Sequence, residues 1–188
     1  SEHYRLVINA GTCAGDLAWL IQLNEIFDAT ITPQPNYAII AVQGPAARQL
    51  LQEKIGTEIM SLKRFHCINQ QDMTVARTGY TGEDGVECIL PSTDVAALWQ
   101  YCMEHKIQPC GLGARDSLRL EAGLNLYGTD MNSDTSPYIS NLAWTVCLKD
   151  NSRDFVGKTA LEQELARGPQ QQLTGVIMTT PGVLRCQQ

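Results

Sequence analysis

The chain has 188 residues, enough to bury on the order of 70% of its unfolded surface in one domain or one and a half. Hydrophobic residues make up 44% and charged residues 18%, an ordinary globular balance. The net charge of -6 with no basic run argues against a nucleic-acid partner, and no apolar run approaches the length of a membrane span, so none is expected.

In chain order, Tyr4 to Ala10 (YRLVINA) reads as a strand, and Asp16 to Phe27 as a helix with Leu17, Leu20, Ile21 and Leu23 or Ile26 on its apolar side. A turn at Pro33–Asn36 precedes the continuous apolar run Tyr37 to Val42, expected as a strand buried on both faces. Gly44 and Pro45 stop it and start a helix reaching Ile55. Short strands are expected at Lys63–Cys67 and Met73–Thr78. A glycine loop follows (Gly79, Gly82, Gly85), then the strand Val86–Leu90 and a helix from Ser92 to Lys106, with Val95, Leu98, Trp99 and Cys102 on one face. Beyond the break at Pro109–Gly113, Arg115 opens another helix, and Asn132–Tyr138 is a loop. Asn141–Leu148, with Trp144, reads as a strand, Phe155–Arg167 as a helix and Gln170–Met178 as a strand. Strands and helices mix without strict alternation, which makes the fold class α+β. SEHYRLVINA has no charged leader and no long apolar run, so no signal peptide is expected.

The seven cysteines (13, 67, 88, 102, 110, 147, 186) form no C-x-x-C pair and do not cluster with the three histidines, so no metal site is expected. They read as small hydrophobes in a reducing compartment rather than disulfides. His66 and His105 have no readable acid or nucleophile partner.

Two segments carry most of the functional signal: RTGYTGEDGVE (Arg77 to Glu87) and GLGARDSLRLEAGLNLYG (Gly111 to Gly128). Glu87 enters the apolar run Val86, Cys88, Ile89, Leu90, and Arg115 sits among Leu112, Leu118, Leu120 and Ala122. Both charges are therefore expected to be buried, where each needs a partner. The pair could satisfy each other, or a ligand with donors on one edge and acceptors on another. The plainer alternatives are a solvent-facing strand carboxylate and a surface arginine bridging Asp116 or Asp84. Asp116 and Glu121 read as local counter-charges to Arg119.

Together, TGYTGEDGVE, PCGLGARDSLRLEAGLNLYG and NLAWT resemble the aminomethyltransferase (T-protein) family of the glycine cleavage system. YRLVINA, Asp154-Phe155-Val156-Gly157-Lys158 and LTGVIM carry the same resemblance, which spans essentially the whole chain. It implies a folate-binding, T-protein-like α+β domain with mixed or antiparallel sheets and flanking helices. It also implies transfer of a methylene unit from the aminomethyl-lipoyl arm of the H-protein to tetrahydrofolate, with release of ammonia. The matching folate positions are Val7, Asn9, Tyr80, Glu87, Arg115 and Trp144. In that reading Glu87 accepts two hydrogen bonds from the pterin amino and ring N–H edge, Arg115 donates to the carbonyl side, and Tyr80 and Trp144 supply apolar walls.

The family's catalytic aspartate lies in a Gly-Gly-x-x-Asp-Asp type segment upstream of the YRLVINA strand, and nothing in this sequence matches it. The chain is thus expected to be an internal fragment, inactive by itself and with no catalytic residue of its own. Residues 1–150 are the middle and C-terminal part of the folate-binding domain, and 151–188 are a helix and strand leading toward a missing C-terminal barrel after Leu184. Related folate-dependent demethylases and the folate domains of oxidases share the cavity. A non-catalytic folate-binding module is a further alternative, but such relatives carry Lys-Gly-Cys-Tyr-x-Gly-Gln-Glu where this chain reads TGYTGEDGVE. The implied location is the cytoplasm for a bacterial parent and the mitochondrion for a eukaryotic one.

Overall fold

The structure is a computed structural model and describes residues 3–183; Leu184 and Cys186 lie outside them. Its centre is a four-stranded antiparallel sheet of β1 (Tyr37–Gln43), β2 (Cys67–Gln70), β3 (Met73–Ala76) and β4 (Gly85–Pro91), in the order β1-β4-β3-β2. In register, Ala41 lies opposite Glu87, and Glu87 opposite Ala76. Side chains alternate across a strand, so Ile40 and Val42 of β1, Val75 of β3 and Val86, Cys88 and Leu90 of β4 share one face and are buried.

Helices α2 (Ala47–Ile55), α3 (Glu58–Ser61) and α4 (Val95–Glu104) complete the core on that face. Ala47, Leu51 and Ile55 fall at four-residue spacing on one stripe of α2, as do Leu98 and Cys102 on α4, and all five are buried. Leu51, Ile59, Val75, Val86 and Cys88 are fully inaccessible to solvent. Burying a residue such as Leu51 contributes about 1.5–3 kcal/mol. Helix α4 ends where Lys106 turns into the left-handed region (φ 57°) and the Ile107 amide bonds back to the Cys102 carbonyl at 2.9 Å, which tucks Ile107 against the core.

The remaining helices are α1 (Cys13–Asn24), which has no buried residue, α5 (Leu112–Glu121) and α6 (Lys158–Arg167). The helix-and-sheet class is therefore the expected α+β, and its sheet is antiparallel.

Five expectations about strands need correction. Residues 4–10 are irregular and exposed; they join neither edge of the sheet, and the described side-chain link is Arg5 to the Thr74 hydroxyl. β1 is an edge strand with Ile39 46% exposed, not a strand buried on both faces, because its unbroken apolar run conceals a half-buried alternation. Lys63–His66 is a turn, with Phe65 at φ 62°, and the strand starts only at Cys67. Asn141–Leu148 closes local turns instead, including a 3-10 turn at Ala143–Thr145. Residues 170–178 form no strand: the Leu173 amide meets the Ile139 carbonyl, while Val176 and Ile177 are exposed. At residues 4–10, 141–148 and 170–178 composition favours extension, but the ladder partner that makes a strand is missing.

Cys88 and Cys102 are buried as expected, whereas Cys13, Cys67, Cys110 and Cys147 are exposed; all six are free thiols. Among the described residues no helix is long and apolar enough to cross a membrane, and no cluster of three or more His, Cys, Asp or Glu could hold a metal.

Candidate functional site

The loop between β3 and β4 is built around Asp84. Its carboxylate accepts from Arg77 Nε at 2.8 Å and Arg77 Nη2 at 3.1 Å on one side, and from Arg48 Nε of α2 at 2.9 Å on the other. Arg77 also donates to the Leu62 carbonyl, and Arg48 to the carbonyls of Ile59 and Met60. One carboxylate thus ties three segments together. The hydrogen bond from Arg77 is the main cause of a pKa held below the usual carboxylate value; burial opposes it and Arg48 adds to it.

The glycines let this loop approach its neighbours. A Cβ on Gly85 would run into the Val42 carbonyl and the Gln43 Cα. Gly82, at φ +77°, sits where a Cβ would lie 2.7 Å from the Ala122 Cβ just beyond α5. The loop therefore packs on the end of α5, and this brings Tyr80 to Arg115. The Arg115 guanidinium lies 4.9 Å from the Tyr80 ring centroid, and the Tyr80 hydroxyl donates to the Asn125 carbonyl at 2.5 Å. Both residues line a cleft of about 390 Å³ with Leu112, Gly113, Asp116, Arg119 and Leu126. A second cleft of about 390 Å³ lies at the end of α6, lined by Ile139, Glu164, Arg167, Gly168 and Gln170.

Glu87 is half-buried, on the sheet face opposite the core, and its Oε2 accepts from the Thr78 hydroxyl at 2.5 Å. Among the described residues no other hydrogen-bond donor and no ion-pair partner reaches it, so most of its acceptor capacity remains open on that face. Thr78 and Tyr80 are two residues apart, so one loop carries both the Glu87 contact and the cleft wall.

The expectation that Arg115 and Glu87 are buried charges is corrected. Arg115 is exposed because the apolar residues around it, Leu112 and Leu120, are themselves 79% and 64% exposed. No ion pair joins Glu87 to Arg115 among the described residues. The buried arginine of α5 is Arg119, one turn on. It pairs with Asp116 at 2.8 Å and with Asp130, and donates to the Leu124 carbonyl at 3.2 Å. Asp116 is therefore its counter-charge as expected, but Asp130 and not Glu121 is the second. Val7 and Asn9 lie exposed in the N-terminal segment and Trp144 is 76% exposed; none of the three lines either cleft.

Sequence reasoning overlooked Arg119 in the lining of the cleft, Asp130 and Asn125 as the partners of Arg119 and Tyr80, and Asp84 as the organiser of the loop. The spacing of Asp116 and Arg119, three apart on a helix, was a readable signal for the first. Asp130 and Asn125 meet Arg119 and Tyr80 through a turn that the sequence does not mark.

Residues 1–150 match the family model described as the GCVT N-terminal domain. The chain belongs to this family. The aminomethyltransferase of Francisella tularensis subsp. tularensis (strain FSC 198) is 48% identical over 191 residues, which take in all of this chain and 53% of that protein. The Francisella philomiragia aminomethyltransferase is 46% identical over 192 residues, covering all of this chain and 54% of its own length. The crystal structure of glycine cleavage system aminomethyltransferase T from Bartonella henselae superposes with a TM-score of 0.79 at 35% identity, over 86% of this chain and 45% of that one. The chain thus spans about half the length of the aminomethyltransferases it matches, and Tyr80, Glu87 and Arg115 lie within the part matched by the GCVT family model.

Proposed function

We propose that the chain is the folate-holding part of a glycine-cleavage aminomethyltransferase, which moves a methylene unit from the aminomethyl-lipoyl arm of H-protein to tetrahydrofolate and releases ammonia. The observation that carries this reading is the Tyr80–Arg115 pair on the wall of a cleft, with the open carboxylate of Glu87 tied to the same loop. The residue types suit a pterin. Glu87 offers parallel acceptors to an edge of donors, Arg115 offers donors to a carbonyl, and the Tyr80 ring offers a flat face. The cleft at the end of α6 has the same volume of about 390 Å³, so the residue types beside Tyr80, not the volume, favour this one.

Val7, Asn9 and Trp144 are assigned to the same ligand on the family resemblance alone. In the domain reading, residues 1–150 belong to the folate domain and 151–188 lead toward a further one. No catalytic residue is assigned within the chain, and the 188 residues alone are expected to give no turnover. The bacterial relatives favour a cytoplasmic setting.

The test is a glycine-cleavage assay of the protein at the full length of its relatives, with lipoylated H-protein and tetrahydrofolate. Folate-dependent release of ammonia from the loaded arm is the expected result. Release from a methylated amine donor, with none from the lipoyl arm, would transfer the chain to the demethylase branch of the scaffold.

A further inference from the structure

We propose that Arg119 is the positioning residue of the cleft and acts on Tyr80 through the turn that follows α5. For its ligand the proposal rests on the folate reading above; for its geometry it does not.

Arg119 is buried, and its guanidinium donates to three acceptors through Nε and Nη1. It holds Asp116 of its own helix at 2.8 Å, the Leu124 carbonyl at 3.2 Å, and Asp130. Asp130 in turn accepts from the Leu126 amide at 2.9 Å. The two contacts grip the segment 124–130 at both ends. Between them sits Asn125, whose carbonyl receives the Tyr80 hydroxyl at 2.5 Å and whose side-chain amide donates to the Ser140 carbonyl at 2.6 Å. The Tyr80 ring carries the Arg115 guanidinium on its face. An unbroken series of contacts therefore runs from Arg119 through Asp130 and the turn to Tyr80 and Arg115.

The chemistry of each link suits positioning. A planar guanidinium with five donors can serve two carboxylates and a carbonyl at once, which an ammonium cannot do in the same geometry. Arg115 is exposed and, among the described residues, has no carboxylate partner. The Tyr80 ring fixes it, and that ring is fixed in turn by the Asn125 carbonyl. Loosening the turn would leave Tyr80 and Arg115 in place chemically but scattered in orientation.

The experiment uses the protein at the full length of its relatives, as wild type, Arg119→Lys, Tyr80→Phe and the double variant. Amide hydrogen exchange is read in residues 79–85 and 124–131, with β4 and α2 as internal controls, and tetrahydrofolate affinity is read by calorimetry. Arg119→Lys is expected to speed exchange at least tenfold in both segments while the controls keep their protection. Its loss of affinity should largely vanish in the Tyr80→Phe background, where the link is already cut. Faster exchange in 124–131 alone, or losses of affinity that simply add, would overturn the proposal and make Arg119 a local structural residue. If Arg119→Lys does not fold, Asp130→Asn interrupts the same relay and is read in the same way. Exchange coupled between the two segments, with folate affinity indifferent to Tyr80→Phe, would uphold the relay and overturn the folate reading instead.

Discussion

The Arg115 guanidinium lies 4.9 Å from the centroid of the Tyr80 ring, although the two residues are 35 positions apart and belong to a loop and a helix. Such a contact is worth about 0.5–1 kcal/mol at an exposed site, too little to hold the fold but enough to orient a side chain. Arg115→Lys keeps the charge and loses the planar fork. Tetrahydrofolate affinity is expected to fall about tenfold, or ~1.4 kcal/mol. Stability should shift by no more than about 0.5 kcal/mol, as for other exposed positions. Calorimetry and thermal melting of the full-length variant give both readings.

Glu87→Gln separates a ligand carboxylate from a structural one. The Thr78 hydroxyl can donate to the glutamine carbonyl as well as to the carboxylate, so the local contact survives. Against a pterin edge made only of donors, the new NH₂ group opposes another donor. The expected loss is about 2–4 kcal/mol of folate affinity, with ligand-free stability unchanged within about 1 kcal/mol because Glu87 is only half-buried. Isothermal titration of wild type and variant measures the difference.

Asp84→Asn removes the carboxylate shared by Arg48 and Arg77. Two guanidinium groups lose their common partner, and a cost of about 2–3 kcal/mol is expected, tempered by the partial exposure of all three side chains. The same group gives a pH signature. Its pKa in the folded chain is depressed, chiefly by the hydrogen bond from Arg77, so its stabilisation is complete above the reference value of 3.8 and is lost as pH falls below that toward the folded value. Urea denaturation followed downward from about pH 5 should show wild type losing more stability than Asp84→Asn as Asp84 protonates.

The thiols divide by burial. Burial, with Cys102 nearby, pushes the Cys88 thiol up to about 12, so it stays protonated and unreactive at neutral pH. Alkylation of the native protein followed by peptide mapping should mark Cys13, Cys67, Cys110 and Cys147 and spare Cys88 and Cys102. Because the folded pKa of Cys88 is raised, its contribution is present below the reference value of 9.0 and is lost as pH rises from there toward about 12.

How far the sequence foretold this arrangement depends on how local each cause is. Helix α2 was legible because Gly44 and Pro45 end the preceding strand and open a helix, and α4 because Leu98 and Cys102 repeat at helical spacing. β4 was legible because a glycine loop and a proline bracket it. The strands expected at residues 4–10, 141–148 and 170–178 failed because extension needs a partner edge, and composition does not say where that edge lies. At the candidate site, the motif around Arg115 drew attention to α5, but Arg115 is exposed where burial was expected. Arg115 and Arg119 are one turn apart, and it is Arg119 that meets Asp130 and the Leu124 carbonyl, contacts made through a turn the helix pattern does not mark. Tyr80 was singled out by the motif, yet what holds it still, the Asn125 carbonyl, is a backbone atom that no side-chain pattern encodes.

The central claim is that the cleft beside Tyr80 and Arg115 receives the pterin, with Glu87 reading its donor edge. A crystal structure of the full-length protein with tetrahydrofolate tests it most directly. The account predicts the pterin ring against Tyr80, with its amino and ring nitrogens about 3 Å from the Glu87 carboxylate oxygens. A folate bound elsewhere, with Glu87 still holding only Thr78, would contradict it.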